Sequence, residues 1–261
     1  WKDGCNRHVL IDECRELFGE IYEQIPELPF CNIWTAMQLS SRLPKGALFH
    51  MGVSNTRRCW NMFQLPESVE SACNVGCCGI DGCVSTLVGA SLVNPDRLCY
   101  VVVGDLTFFY DLNSLGNHHI GTNLRVMLVN NGRGTEFRLG IHHCNVFGDD
   151  ADKYMAAAGH FGNKSPLLVK HYAEDLGFHY LSATTKEEFM TALSNFTNPQ
   201  LSDHSMILEV FTDSKDESEA LYLMSHIQSD AKGMVRSKLK DAVRNVAGEK
   251  GINAIKKILK K

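Results

Sequence analysis

No apolar run in this chain approaches the ~18 residues that a membrane-crossing helix needs. The first residues also lack the charged-then-apolar pattern of a secretory leader. Both absences predict a cytoplasmic chain with no transmembrane segment. Ten cysteines are present, yet no Cys-x-x-Cys occurs among them, which excludes the commonest zinc and thioredoxin-like spacings. Cys73, Cys77, Cys78 and Cys83 crowd a glycine-rich stretch without ligand spacing. His142-His143-Cys144 has no second cluster to complete a soft-metal site. The expectation is therefore free, reduced thiols, since disulfides belong to oxidising compartments. Residues 230–261 contain no aromatic side chain to stack on a base or anchor at a lipid interface, although ten Lys/Arg stand against three Asp/Glu there. No internal repeat is visible. The chain begins at Trp1 rather than Met, and the expectation is a fragment or a processed product.

What is there is enough for a sizeable core, with 44% hydrophobic residues over 261 positions. Strand-like runs fall at 47–53, 98–104, 124–130, 178–182 and 205–212. They alternate with helical patterns at 32–43, 55–63, 83–93, 165–176 and 186–195. Alternation of this kind predicts an α/β fold, a doubly wound and mostly parallel sheet flanked by helices. The strands are short and β-branched, as expected when both faces are covered. Residues 7–25 carry Val9, Leu10, Cys14, Leu17, Phe18 and Ile21 at helical spacing, with Pro26 and Pro29 beyond. Residues 1–30 are thus expected to be a helical linker from an upstream domain, and 31–229 the main domain. The basic segment 230–261 reads as two amphipathic helices broken near Gly248–Gly251, either a packed tail or a surface-binding element. The glycine-spaced stretch 140–165 is either a lid over a site or a plain surface loop.

The most informative pattern joins two strand ends. Gly104-Asp105-Leu106 follows one run, and Asn130-Asn131 follows the next, with Asn131 coming 26 positions after Asp105. On parallel neighbouring strands both side chains would point into the crevice beyond the carboxyl ends, where open α/β sheets bind ligands. One carboxylate, one amide oxygen and nearby carbonyls suit Mg²⁺, a hard cation that shares its shell with phosphate. A helix over 106–116 would offer its N-terminal N–H groups to the same phosphate. Taken singly, Asp105 is as good a helix N-cap, and Asn131 as good a turn residue.

Gly104-Asp105 and Asn130-Asn131 at this spacing resemble the thiamine-diphosphate motif of the decarboxylase and carboligase superfamily. Gly104-Asp-Leu-Thr-Phe-Phe-Tyr-Asp-Leu-Asn113 is similar to the matching stretch of its menaquinone-pathway branch, the 2-succinyl-5-enolpyruvyl-6-hydroxy-3-cyclohexene-1-carboxylate synthases. So are Gly79-Ile-Asp-Gly82 with Ser85-Thr86, and Leu48-Phe49 with Gly52-Val-Ser54 and Arg58. These blocks keep the family's order over residues 32–211. The resemblance implies the thiamine-diphosphate-binding fold, with thiamine diphosphate and Mg²⁺ as cofactors. Asp105, the Asn131 side chain and the Arg133 carbonyl would be the metal ligands. Gly79, Ile80, Gly82, Gly104, Leu106, Thr107 and Thr135 would join them around the cofactor. Ile80 would wedge beneath it and hold it bent, which is proximity catalysis within one bound molecule.

Departures from the branch bear on substrate. Ser54 and Arg58 match its substrate-side positions, but Val75 stands where it carries arginine, removing a bidentate carboxylate partner. Glu136 replaces an aliphatic residue near the reacting centre, where it would transfer protons or face solvent. The family's activating glutamate, which lies on a separate pyrimidine-binding domain, has no counterpart here. The expectation is the cofactor-binding domain of a 2-oxo acid decarboxylase or carboligase, a homo-oligomer (dimer or tetramer), inactive without that upstream domain and without a nucleic-acid partner. Two alternatives are the menaquinone-pathway synthase itself and a non-catalytic doubly wound interaction module.

Overall fold

A computed structural model describes residues 5–76, 78–139, 142–151 and 165–227. The expected basic tail at 230–261, and most of the candidate lid at 140–165, lie outside the described residues. The chain divides into two compact units, Phe30–Ser218 and a second made of Trp1–Pro29 with Glu219–Lys261. In the second unit the amphipathic segment forms a helix, α1 (Cys5–Glu23).

The larger unit is built on six strands: β1 (Leu48–Met51), β2 (Glu70–Cys73), β3 (Cys99–Gly104), β4 (Leu124–Asn130), β5 (His179–Ala183) and β6 (Met206–Phe211). Their spatial order is β2-β1-β3-β4-β6-β5, and every pairing is parallel. Helices α2 (Asn32–Ser40), α3 (Asn55–Trp60), α4 (Cys83–Val93), α5 (Asp105–Tyr110), α6 (Leu168–Asp175) and α7 (Lys186–Phe196) make the crossovers and flanks, and α8 (Ser214–Ser225) follows β6 in the chain. The expected doubly wound α/β class is what the structure shows.

The central strands explain why the sheet is parallel. Val101, Val102, Val103, Val126, Leu128 and Ile207 are all buried, so β3, β4 and β6 are covered on both faces, which only crossover helices achieve. All but Val102 pack with Leu87, Val88, Phe108, Val169 and Ala173 from the helices. Arg125 is the exception on β4. Its guanidinium is completely buried and donates to the carbonyls of Thr122 and Leu124 and to Ser202 Oγ. A second cluster joins α2 to α7, where Phe30, Trp34 and Phe189 meet edge to face at 5.6–6.2 Å, an arrangement that aromatic quadrupoles favour.

Two elements differ from expectation. β2 has the sequence Glu-Ser-Ala-Cys and is mostly exposed, because an edge strand needs no apolar run. The expected helix over 106–116 breaks at Asp111, giving α5 and then a 3-10 turn, Leu112–Gly116. Asp111 Oδ2 accepts the Ser85 N–H of α4 at 2.7 Å. It caps another helix in its first turn, a better use of its carboxylate than the middle of its own.

The strand order reverses between β1 and β3. The chain runs from β1 outward to β2, then returns past β1 to β3. At this switch point Gly52 lets β1 approach its neighbour closely. Its N–H meets the Val102 carbonyl at 2.7 Å, and a Cβ there would lie 3.1 Å from that oxygen.

Candidate functional site

A cleft of about 570 Å³ opens at the carboxyl ends of β1, β3 and β4, at this switch point, where doubly wound sheets bind ligands. The register Gly104↔Val129 places the β3 and β4 ends side by side. Asp105 and Asn131 both line the cleft. Asp105 is only 2% exposed, and its Oδ1 accepts the Leu106 N–H at 2.7 Å. That bond takes up one N–H of the first turn of α5, a helix of six residues.

Which asparagine faces the cleft is settled by burial. Asn130 donates Nδ2 to Glu209 Oε1 on β6 at 2.7 Å, and Tyr180 Oη donates to Oε2 of the same carboxylate, also at 2.7 Å. Burial pushes the Glu209 carboxyl up, while the Asn130 and Tyr180 bonds pull it back. Asn130 is thus committed to the sheet, and Asn131 is left for the cleft. Asn131 Oδ1 accepts the Arg133 N–H at 3.3 Å across a turn in which Gly132 takes φ +82°. That left-handed value is one glycine adopts freely.

Most residues singled out from the sequence meet here. Ser54, Arg58, Ile80, Gly104, Asp105, Leu106, Thr107, Asn131, Arg133, Thr135 and Glu136 all line the cleft. Gly79 and Gly82 do not. Gly82 is the residue before α4, and its carbonyl accepts from Asn74 Nδ2, Thr86 N and Thr86 Oγ1. Ile80 packs against the core while also reaching the cleft. Arg58 and Glu136, 78 positions apart in sequence, form an ion pair with Nη1 2.7 Å from Oε2. The pairing pushes the Arg58 guanidinium further up, against the opposing effect of burial.

Ser54 and Cys78 hold φ of +66° and +52°, and both line the cleft. Left-handed backbone at non-glycine residues costs about 1–3 kcal/mol and concentrates at functional sites. Arg57, Asn55 and Thr56 from α3, and Asn32 from α2, also line the cleft, and the sequence reading missed them. No motif marks them. They arrive because α2 and α3 pack beside the switch point.

Thr135 Oγ1, Asn55 Oδ1 and Arg57 Nε are among the polar atoms at the cleft that are buried without a hydrogen-bond partner among the described residues. Buried polar groups are ordinarily satisfied; Arg57 Nε and the Thr135 hydroxyl can donate to an anionic ligand, whereas Asn55 Oδ1 calls for a donor. Among the described residues no cluster of three His, Cys, Asp or Glu can hold a metal. His142 Nδ1 instead accepts the Cys144 N–H at 3.1 Å. A cation at this cleft would rely on Asp105 with amide and carbonyl oxygens, a set suited to a hard ion. Cys31, Cys59, Cys83 and Cys99 are buried free thiols. Burial pushes the Cys31 thiol up to about 12, with Glu217 adding to it. No helix among the described residues is long and apolar enough to cross a membrane.

A carboxylate and an amide at adjacent parallel strand ends face one cleft at a switch point, the place where domains of the doubly wound α/β class bind ligands. No family model matches the chain. Curated proteins do. A 2-succinyl-5-enolpyruvyl-6-hydroxy-3-cyclohexene-1-carboxylate synthase of Bacteroides fragilis is 34% identical over 196 residues, 75% of this chain and 34% of the relative. Those of Phocaeicola vulgatus and Christiangramia forsetii are 34% and 33% identical over 200 and 199 residues, each 76% of this chain and 34% and 33% of the relative. Through this stretch the chain belongs to the family of these synthases. It spans about a third of the length of the curated relatives it matches.

Proposed function

We propose that the chain is the diphosphate-binding portion of a thiamine-diphosphate-dependent enzyme that acts on a 2-oxo acid. One observation carries the reading: Asp105 and Asn131 converge on the switch-point cleft in a chain whose relatives bear the synthase name. The Asp105 carboxylate, the Asn131 amide oxygen and the Arg133 carbonyl would hold Mg²⁺ against the cofactor's diphosphate. Thr107 and Thr135 would add hydroxyl donors, and the unsatisfied Thr135 Oγ1 supports that role. Ile80 would press on the cofactor from below, with its other side fixed by the core. When bound, the cofactor supplies the nucleophilic carbon and the electron sink. The chain's part is to hold that group in one orientation, to balance its charge and to wall off water. The activating carboxylate would come from an upstream pyrimidine-binding domain of a facing subunit, making the working form a cytoplasmic homo-oligomer.

The test is calorimetry with thiamine diphosphate, with and without Mg²⁺. Metal-dependent binding that is lost in Asp105→Ala is expected. Binding indifferent to EDTA and to that substitution would refute the reading.

A second reading, that the enzyme is itself a menaquinone-pathway synthase, is favoured by the names of the relatives. Val75 and Glu136, which both line the cleft, weigh against it. The assay is turnover of 2-oxoglutarate with isochorismate by the protein joined to a pyrimidine-binding domain. Activity at ordinary enzyme rates would establish this second reading.

A further inference from the structure

We infer that the basic tail of this chain docks through residues 235–246 on the apolar face of α1, an interaction within one molecule that the proposed cofactor role neither requires nor explains. On α1, Ile11, Cys14, Phe18 and Ile21 recur at alternating intervals of three and four, and Leu17 widens the stripe. Ile11, Leu17 and Phe18 are 38%, 49% and 57% exposed, and the Cys14 thiol is exposed with them. Helical periodicity carries Asp12, Glu13, Glu16, Glu20 and Glu23 away from that stripe. Glu13 and Glu20 stand four residues before and three after Leu17, and so border its edge.

The helix is short of positive charge. With Arg7 and Arg15 against those five carboxylates, its net charge is −3. Its last turn holds Glu20 and Glu23 and no basic residue, which is the wrong sign for the negative end of a helix dipole. Among the described residues Arg15 pairs with Asp12 at 3.6 Å, and no cation pairs with the other four carboxylates. The tail supplies both missing things. Val235, Leu239, Ala242 and Val246 repeat the spacing of four and three, with Val243 beside them, and Arg236, Lys238 and Lys240 border that stripe. Stripes of this spacing on two helices interlock side by side. Ten Lys/Arg less three Asp/Glu give residues 230–261 a charge of +7.

The occupant is the chain's own tail because both segments leave the larger unit from one place. The Asn32 N–H, at the start of α2, donates to Glu217 Oε1 in the first turn of α8 at 2.9 Å. Glu23, the end of α1, lies nine positions before Asn32, and Val235 lies ten after Ser225, the end of α8. Tethers of that length span at most about 35 Å. They hold the two stripes at an effective concentration on the order of millimolar. A second copy has no such tether. One stripe on one helix also falls short of the about 1,200 Å² of total surface that a stable association of separate chains buries.

The test uses the full chain and reads the Cys14 thiol, which lies inside the stripe, by iodoacetamide labelling resolved peptide by peptide. A millimolar effective concentration against a helix-pair Kd of ~0.1 mM makes labelling about 10-fold slower than at an open face. Leu239→Asp with Val243→Asp puts charge into the tail's stripe and is expected to restore the fast rate. Glu13→Lys with Glu20→Lys is expected to restore it too, and adding Arg236→Glu with Lys240→Glu to that pair is expected to slow labelling again. Hydrogen exchange over residues 11–23 should follow the same order without any thiol reagent. Equal Cys14 rates in wild type and the Leu239/Val243 variant would overturn the inference. Protection that fades as the protein is diluted would show a second copy on α1 and overturn it as well. Failure of the swapped charges to recover protection would remove α1 as the docking face.

Discussion

Replacing Glu217 by glutamine isolates one buried carboxyl and predicts a specific change in how stability depends on pH. Glu217 lies on α8, completely buried, with Oε1 accepting the Asn32 N–H at 2.9 Å and the Thr212 hydroxyl at 2.7 Å. Burial is the largest influence on its pKa and outweighs both hydrogen bonds, so the carboxyl is pushed from 4.5 up to about 7. The folded state therefore holds this proton more tightly than the unfolded chain. Below about pH 4.5 both states are protonated, and the group makes no difference between them. As pH rises toward 7 the unfolded chain releases its proton first, so stability falls; above 7 the loss is complete. A rise from 4.5 to about 7 corresponds to about 3 kcal/mol, at ~1.4 kcal/mol per unit.

Glu217→Gln keeps the Oε1 acceptor and removes the titration. Its amide nitrogen would take the place of Oε2, which has no hydrogen-bond partner, at a pH-independent cost of about 1–3 kcal/mol. The decisive quantity is therefore the slope and not the level. Urea unfolding at pH 5, 6, 7 and 8 should show the variant gaining on wild type by up to about 3 kcal/mol across that range. Contributions from other titrating groups, such as Glu209, cancel in the difference. A difference between the two proteins that stays flat from pH 5 to 8 would refute the reasoning.

Ser54→Gly should stabilise the fold by about 1 kcal/mol, because Ser54 holds φ +66° and glycine adopts that conformation without strain; a lower urea midpoint would count against it. Asp111→Ala should cost about 1 kcal/mol through the lost cap on α4, and an unchanged midpoint would show that water replaces the carboxylate without loss. Val75→Arg should improve the affinity of a dicarboxylic 2-oxo acid, with the ~2–5 kcal/mol typical of a buried charge pair as its ceiling. The check is a titration with 2-oxoglutarate beside wild type, and no gain would mean that position 75 does not face the substrate.

How much of this was legible in the sequence depended on burial and on range. The runs that became β3 and β4 were readable because those strands are buried on both faces and hence mostly apolar, Arg125 and Asn130 apart. β2 was not, because a mostly exposed edge strand leaves no hydrophobic pattern. The Asp105–Asn131 pairing was readable because each residue follows a strand directly, and consecutive parallel strands carry such residues to one edge. The choice of Asn131 came by resemblance, and its physical reason, the bond from Asn130 to Glu209, spans 79 positions. The Arg58–Glu136 pair belongs to the same kind. Both residues had been singled out, for different roles, and nothing in their spacing says that they neutralise each other. Arg57 was invisible for a related cause: an unsatisfied donor is defined by what fails to reach it. The glycines at 79 and 82 mark a turn into α4, and the turn alone does not bring them to the cleft.

Asp111 has a bearing on how sequence variation in this chain will look. Its carboxylate ties the end of α5 to the first turn of α4, and so ties the segment that carries Asp105 to the loop that carries Ile80. It does not itself line the cleft. In a library of single substitutions scored only by turnover, position 111 would therefore appear among the catalytic positions and be mistaken for one. Scored in parallel for abundance or for resistance to proteolysis, it would separate from Asp105, whose replacement leaves this clasp between the two segments intact.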